Sequence, residues 1–94
     1  MFVVRETFIA KPGKASALAA QFKQTFADMP QFKMRVLTDV IAQFNCVVLE
    51  TECEDLTAFE KALREAMANP QLREKMKGYT DLYQEGRREV YRIV

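Results

Sequence analysis

Residues 32–53, FKMRVLTDVIAQFNCVVLETEC, have the pattern of two strands joined by a short connection. From Phe32 to Val40 apolar and polar side chains alternate, which is typical of a strand. After the short connection Ile41-Ala42-Gln43, an apolar run predicts another strand from Phe44 to Cys53. Two strands joined so closely are expected to form an antiparallel hairpin.

A strand and a helix are predicted before this hairpin. Met1 to Ala10 is rich in Val, Phe, Ile and Thr, and predicts a strand that ends at the turn sequence Lys11-Pro12-Gly13-Lys14. From Ala15 to Met29 apolar residues recur every three or four positions, which predicts an amphipathic helix. Pro30 is expected to end this helix because proline has no N–H to donate.

A second helix is predicted after the hairpin. Glu54 and Asp55 supply N-cap chemistry, and the apolar residues from Leu56 to Met67 again follow helical spacing. Asn69-Pro70 is expected to end this helix and to open a further helical turn, with Asn69 as the cap.

The remaining residues predict a short helix, a bridge and a last strand. Residues 71–77 are expected to form one or two helical turns that Gly78 closes. Tyr79 to Glu85 is expected to be a short irregular or helical bridge. Gly86 then leads into a final strand from Arg87 to Val94.

The order of these elements, β-α-β-β-α-β, predicts a single ferredoxin-like α+β domain over residues 1–94. Right-handed crossovers place the first and third strands in the middle of a four-stranded antiparallel sheet, with the second and fourth on its edges. Two helices then cover one face of the sheet.

Apolar side chains occur on both faces of the predicted sheet, whereas a half-solvated sheet is apolar on one face only. The third strand, for example, carries Phe44, Cys46 and Val48 on one face and Val47, Leu49 and Cys53 on the other. A large exposed apolar face normally marks an interface, so the pattern predicts a homodimer joined sheet to sheet. The pattern does not say which face meets the helices.

Charged residues also interrupt the strands. Glu6, Glu50, Glu52 and Arg92 occupy even-numbered positions, whereas Arg5 and Glu89, with Thr7 and Thr51, occupy odd-numbered ones. Two interpretations are open. One is an ion network at the dimer seam or at the strand ends, and the other is the polar lining of a ligand cavity.

The overall composition argues against several classes of function. The 94 residues carry a formal net charge of +1 and include neither His nor Trp. A near-neutral chain predicts no nucleic-acid partner, and without an apolar run of roughly 18 residues no membrane association is expected. The commonest general base and the commonest catalytic zinc ligand are missing, so no metal and no cofactor are predicted.

The two cysteines predict a reducing compartment. Cys46 and Cys53 belong to one predicted strand, in which their Cα atoms would lie roughly 23 Å apart, beyond the reach of a disulfide. Unpaired thiols, together with an N-terminus that does not read as a signal peptide, predict a cytoplasmic protein.

With these elements in place, the chain resembles the antibiotic-biosynthesis-monooxygenase-like group of the dimeric α+β-barrel superfamily. The resemblance covers essentially all of the chain as a pattern. It rests on the opening strand before Lys11-Pro12-Gly13-Lys14, the hairpin, the helix from Leu56 to Met67 with its break at Pro70, and the segment Gly86-Arg87-Arg88-Glu89-Val90-Tyr91.

This resemblance implies two sheets packed into a barrel, with a small hydrophobic ligand held between each sheet and its helices. Activities in the group include cofactor-independent oxidation of polyketide-like aromatic compounds, haem degradation and isomerisation of small cyclic acids. The haem-degrading branch uses an axial His and an Asn-Trp pair, which this chain lacks. Monooxygenase members commonly surround the substrate with Asn, Trp, Tyr or His, of which Asn45, Asn69 and three tyrosines are present here.

Tyr79, Tyr83, Asn45 and Arg35 are the predicted polar contacts of the ligand. Tyr79 and Tyr83 lie four residues apart and would meet on one face if the bridge is helical. Tyr91 is a further candidate for a ligand-orienting hydroxyl. The structural alternatives are tyrosines that bind only a backbone carbonyl and an asparagine that only stabilises a turn.

Arg87 and Arg88 have two possible roles at the start of the last strand. They are suited to receive a carboxylate or phosphate, and also to protect an edge strand from aggregation.

Three functions remain open from the sequence. The first is a homodimer that binds a small apolar or aromatic molecule between sheet and helices. The second is a cofactor-independent monooxygenase or isomerase, and the third is a structural or regulatory dimer with a filled core. An internal void with convergent polar groups favours the first two.

Overall fold

Four strands form one antiparallel sheet in the computed structural model, which describes residues 1–94. They are β1 (Phe2–Ala10), β2 (Arg35–Thr38), β3 (Cys46–Cys53) and β4 (Tyr83–Arg92). The spatial order is β2-β3-β1-β4, so the first and third strands are central, as predicted. The ferredoxin-like α+β fold is therefore confirmed.

Three helices accompany this sheet: α1 (Ala15–Phe26), α2 (Leu56–Met67) and α3 (Pro70–Met76). The predicted caps are present, since the Asp55 carboxylate accepts from the N–H groups of Thr57 and Ala58, and the Asn69 side chain accepts from the Gln71 N–H. None of the helices is long and apolar enough to cross a membrane.

The segment between α1 and β2 differs from the prediction. Helix α1 ends at Phe26 instead of Met29, and Pro30–Phe32 forms a single 3-10 turn. Pro30 disfavours a helical conformation at the residue before it, and Met29 accordingly has φ −125° and ψ 64°. Strand β2 therefore starts at Arg35 and not at Phe32.

The connection between β2 and β3 is longer than predicted and spans residues 39–45. The Asp39 carboxylate accepts from the Cys46 N–H at 2.9 Å, and Asn45 has a left-handed φ of 63°, which asparagine tolerates. These features end the ladder early. Phe44, which was expected in the strand, therefore lies in the loop and is 83% exposed.

The last strand also differs from the prediction, since it begins and ends earlier in the chain. β4 begins at Tyr83 and ends at Arg92, so Gly86 lies within it instead of preceding it. The pairing of β4 with β1 continues to Ala10, which pairs with Tyr83, so the ladder includes the last three residues of the predicted bridge.

The helices cover the inner face of the sheet, which carries Phe8, Val47 and Leu49. These side chains pack in one core cluster with Leu18 and Phe22 of α1 and with Leu72 and Met76 of α3. Even-numbered residues of β1 and odd-numbered residues of β3 thus face the helices. Helix α2 has no fully buried residue, so it covers its part of the sheet less tightly.

The outer face of the sheet, opposite the helices, carries an ion network at its centre. Glu50 is 7% exposed and binds both Arg5, at 2.9 Å, and Arg35. The Arg5 guanidinium also lies 5.4 Å from the centroid of the Tyr91 ring. Burial alone raises the pKa of Glu50, but the hydrogen bonds from the two arginines outweigh it and lower that pKa below its ordinary value.

We expect the Glu50 network to stabilise the fold at neutral pH and to lose this effect in acid, where Glu50 is protonated. A carboxyl whose pKa is lowered by folding adds to the free energy of unfolding at pH values above its unfolded pKa of about 4.3. This added stability is lost as the pH falls through the pKa of the folded state. Glu50→Gln should therefore lower the free energy of unfolding by roughly 1–3 kcal/mol at pH 7.

Urea unfolding at pH 7 and pH 3 tests this, with the exposed Glu52→Gln as the matched control. The control should change stability by less than about 0.5 kcal/mol. A deficit of Glu50→Gln that is as large at pH 3 as at pH 7 would contradict the role assigned to its charge.

Candidate functional site

A cavity of about 140 Å³ lies between the inner face and all three helices. Most of its wall is apolar, and Glu6, Tyr79 and Arg88 are the polar exceptions. The apolar lining residues are Phe8, Phe22, Phe26, Met34, Leu49, Leu63, Met67 and Met76. An apolar chamber with a few convergent polar groups is the usual form of a small-molecule site.

Glu6 is the unusual member of this wall. It lies on the central strand, on the same face as Phe8, and its side chain is 20% exposed. Its only ion-pair partner is Arg88, whose Nη2 atom lies 3.5 Å from Glu6 Oε1, too long for a strong bond. No protein group donates a hydrogen bond to this carboxylate, so it is free to accept one from a ligand.

A wider chamber of about 360 Å³, called the vestibule here, adjoins the cavity. It shares Glu6, Phe8, Tyr79 and Arg88 with the cavity and adds Tyr83, Gly86 and Arg87. A Cβ atom at Gly86 would lie 3.4 Å from the Phe8 ring. That is ordinary van der Waals contact, so an alanine would fit at this position.

Tyr79 and Tyr83 both line this vestibule, although the segment between them is not the helix on which their meeting was expected to depend. Tyr79 belongs to the 3-10 turn Tyr79–Asp81, Tyr83 is the first residue of β4, and their ring centroids lie 5.8 Å apart. Burial, together with the Tyr83 hydroxyl and the Glu6 carboxylate, raises the pKa of Tyr79. Its hydroxyl therefore stays protonated at neutral pH and can donate a hydrogen bond.

An irregularity in the ladder decides where Tyr83 lies. Ile9 pairs with Glu85, but Ala10 pairs with Tyr83, so one extra residue is inserted in β4 at Gln84. In a regular strand Tyr83 would share the face of Glu85, which is the outer face. The bulge reverses this and places Tyr83 on the inner face beside the Phe8 ring, at 4.9 Å between centroids.

The other two predicted contacts lie elsewhere. Arg35 projects from the edge strand β2 and binds Glu50 on the outer face. Asn45 lies in the 39–45 loop, where its carbonyl accepts from the Ala10 N–H at 2.8 Å. Tyr91 is also on the outer face, with its hydroxyl bound to Glu89. None of these three residues lines the cavity or the vestibule.

Glu6 and Arg88 were each named from the sequence as possible ligand or ion-pair residues, but their pairing at one cavity was not predicted. The signal was present, since Glu6 interrupts an apolar strand. Glu50 belongs to an ion network, whereas Glu6 lines a cavity. Residue numbers do not align the faces of different strands, so number parity wrongly grouped these two carboxylates.

Solved structures of low sequence identity share this fold. Protein Atu4242 from Agrobacterium tumefaciens has a TM-score of 0.87 at 15% identity, with 100% of this chain and 94% of that chain covered. An uncharacterized NIPSNAP domain protein from Burkholderia xenovorans has a TM-score of 0.83 at 15% identity, with 100% and 95% covered. An antibiotic biosynthesis monooxygenase has a TM-score of 0.72 at 15% identity, with 100% and 99% covered.

Sequence comparison adds no relative, since no protein-family model and no curated protein matches the chain. The predicted resemblance to the antibiotic-biosynthesis-monooxygenase-like group is confirmed for the fold by the structural neighbours, which include proteins of that description and NIPSNAP domain proteins. Identities this low leave the activity open.

We expect the Glu6 carboxylate to lower the free energy of unfolding, because it lies in a largely apolar wall with only a long contact to Arg88. Glu6→Leu should raise the free energy of unfolding by about 1 kcal/mol, because a poorly paired carboxylate is replaced by an apolar side chain with free volume beside it. Urea unfolding measures the change, and the exposed Glu52→Leu serves as the control. A clear loss of stability in Glu6→Leu would show that the carboxylate is a structural group.

Proposed function

We propose that this chain is a homodimeric protein that binds a small apolar or aromatic molecule in the cavity between its sheet and helices. The observation that carries the proposal is the convergence of Glu6, Tyr79 and Arg88 on an otherwise apolar chamber. A filled, purely structural core would leave neither the chamber nor, in its wall, a carboxylate whose one charged partner lies 3.5 Å away.

The dimensions of the cavity suggest the class of ligand. An engineered apolar cavity of about 150 Å³ in another protein accommodates benzene, so 140 Å³ suits one six-membered ring. The vestibule adds room for a polar substituent beside Tyr79 and Tyr83. A ring with a hydroxyl group fits best, because Glu6 accepts and Tyr79 donates a hydrogen bond.

The outer face supports the dimer. Leu37, Tyr91 and Ile93 are each 41–46% exposed there, and Val40 and Ile41 of the adjoining loop are above 90% exposed. Apolar side chains gathered on one face favour association, and a twofold axis would bring the same face of a second copy against it. The surface around the Glu50 network would then form the centre of the interface.

A cofactor-independent enzyme is the second candidate. Glu6 and the protonated Tyr79 line the same largely apolar chamber, which suits proton transfer within a bound ligand and hence isomerisation. The structural neighbour described as an antibiotic biosynthesis monooxygenase keeps oxidation among the candidates. The unpaired thiols of Cys46 and Cys53 support a cytoplasmic location for either function.

We expect the ligand site to be closed by a larger side chain at Leu63. This residue lines the cavity from α2, whereas Leu56, on the same helix, does not. 4-Methylphenol is the probe, followed by two-dimensional amide NMR. Leu63→Phe should weaken its binding by at least about tenfold because the added ring volume takes up the cavity.

Leu56→Phe is the matched control and should bind 4-methylphenol as the wild type does. The amide shifts in the wild type should centre on Phe8, Tyr79 and Met67. Equal binding by both variants, or shifts far from these residues, would refute the cavity site.

We expect a charge on the outer face to dissociate the dimer. Leu37 and Val90 lie on opposite edge strands and are 41% and 45% exposed, but Leu37 is on the outer face and Val90 on the inner. Leu37→Glu should sediment as a monomer at micromolar concentration, whereas the wild type and Val90→Glu should sediment as dimers. A monomeric wild type would refute the dimer.

A further inference from the structure

A second and larger cavity of about 460 Å³ lies outside the proposed ligand site. It is bounded by the last turns of α1, by the 3-10 turn at Pro30–Phe32 and by the edge strand β2. We call it the β2 groove. The side chains of Phe26 and Met34 line both chambers and separate them.

The β2 groove has cations and no carboxylate in its wall. Lys23, Lys33 and Arg35 line it together with apolar side chains. Each ion pair of the fold involves other residues, except that Arg35 binds Glu50, so neither lysine has a carboxylate within 4.0 Å. Lys33 and Arg35 also border Glu50 and Glu52 on the outer face, so the cations Arg5, Lys23, Lys33 and Arg35 outnumber the two carboxylates at this end of the sheet.

Lys33 is held in a conformation that lysine seldom adopts. Its φ is 45° and its ψ is 43°, the left-handed region, where a non-glycine residue costs roughly 1–2 kcal/mol. The backbone is kept there by the bond from the Lys33 N–H to the Pro30 carbonyl at 3.1 Å, and Thr51 donates to the Phe32 carbonyl. Glycine or asparagine would fit this position with less strain, so the backbone of the turn does not account for a lysine at position 33.

The floor of the β2 groove is apolar. Phe26, Met29, Met34 and Val36 are all half-buried in it. The volume falls within the ordinary range for small-molecule sites, and two methionines give a floor that adapts to the shape of a ligand. An apolar floor below unpaired cations fits a molecule with an apolar body and an anionic head.

We propose that the β2 groove binds a small amphipathic carboxylate, with its hydrocarbon part on Met29, Met34 and Val36 and its carboxylate bound by Lys23 and Lys33. This site goes beyond the ring-binding cavity and does not depend on it. The two differ in chemistry, since the cavity presents the carboxylate of Glu6 to its ligand and the β2 groove presents only cations.

The test uses octanoate as the probe and 1-octanol as its uncharged counterpart, each followed by two-dimensional amide NMR on the full chain. Octanoate should shift the amides of residues 23–36 and bind at least about tenfold more tightly than 1-octanol, because only the carboxylate forms charge-assisted hydrogen bonds. Equal binding of the two probes would overturn the proposal.

Two charge variants show whether the lysines form the site. Lys23→Gln combined with Lys33→Asn should weaken octanoate binding by about tenfold or more, and asparagine keeps the left-handed turn at residue 33. Lys11→Gln combined with Lys61→Gln removes the same charge from elsewhere on the surface and should leave binding unchanged. An equal loss in both double variants would overturn the proposal, since it would reflect net charge alone.

Two other outcomes would also overturn it. Octanoate shifts centred on Glu6 and Tyr79 would assign the probe to the ring-binding cavity. Cosedimentation with phosphatidylglycerol vesicles that depends on Lys23 and Lys33, without binding of free octanoate, would identify a membrane-facing surface instead of a small-molecule site. Neither result would affect the test of the ring-binding cavity, which relies on Leu63.

Discussion

The packing of Phe8 on the central strand is the contact on which both the core and the candidate site depend. Its ring centroid lies 5.0 Å from that of Phe22 and 4.9 Å from that of Tyr83. Phe8 therefore joins the sheet to α1 and to the start of β4. Because side chains in a strand alternate, burying Phe8 on the inner face necessarily brings Glu6 to that face as well. The same alternation that places Phe8 in the core thus places the Glu6 carboxylate in the wall of the cavity.

The sheet consequently separates two kinds of polar chemistry. On the outer face, Glu50 is neutralised by Arg5 and Arg35, and its charge supports the fold. On the inner face, Glu6 has only a long contact with Arg88 and remains available. A paired carboxylate stabilises the folded state, whereas a poorly paired one beside an apolar cavity costs stability and is suited to a ligand. Arg5 and Glu6 are adjacent in sequence, yet they belong to different sites.

Much of the fold could be predicted from local patterns. The helix from Leu56 to Met67, its Asp55 cap and the cap at Asn69 follow from interactions within a few residues, so the sequence alone specifies them. The errors fall where tertiary contacts override the local pattern. Phe44 has the residue type of a strand but lies in a loop closed by Asp39 and Cys46, and β4 starts early because Ala10 offers Tyr83 a pairing partner.

Local patterns of periodicity and capping specify the order of the elements, and the right-handed crossover rule then gives the position of each strand in the sheet. Which face of each strand meets the helices depends on long-range packing, since alternation defines two faces without saying which one is covered. Tertiary packing also brings Tyr83 together with Tyr79, Glu6 and Arg88 in the vestibule. That meeting depends on a one-residue bulge in the β1–β4 ladder, and a bulge arises from the pairing of two distant segments and has no signal in either alone.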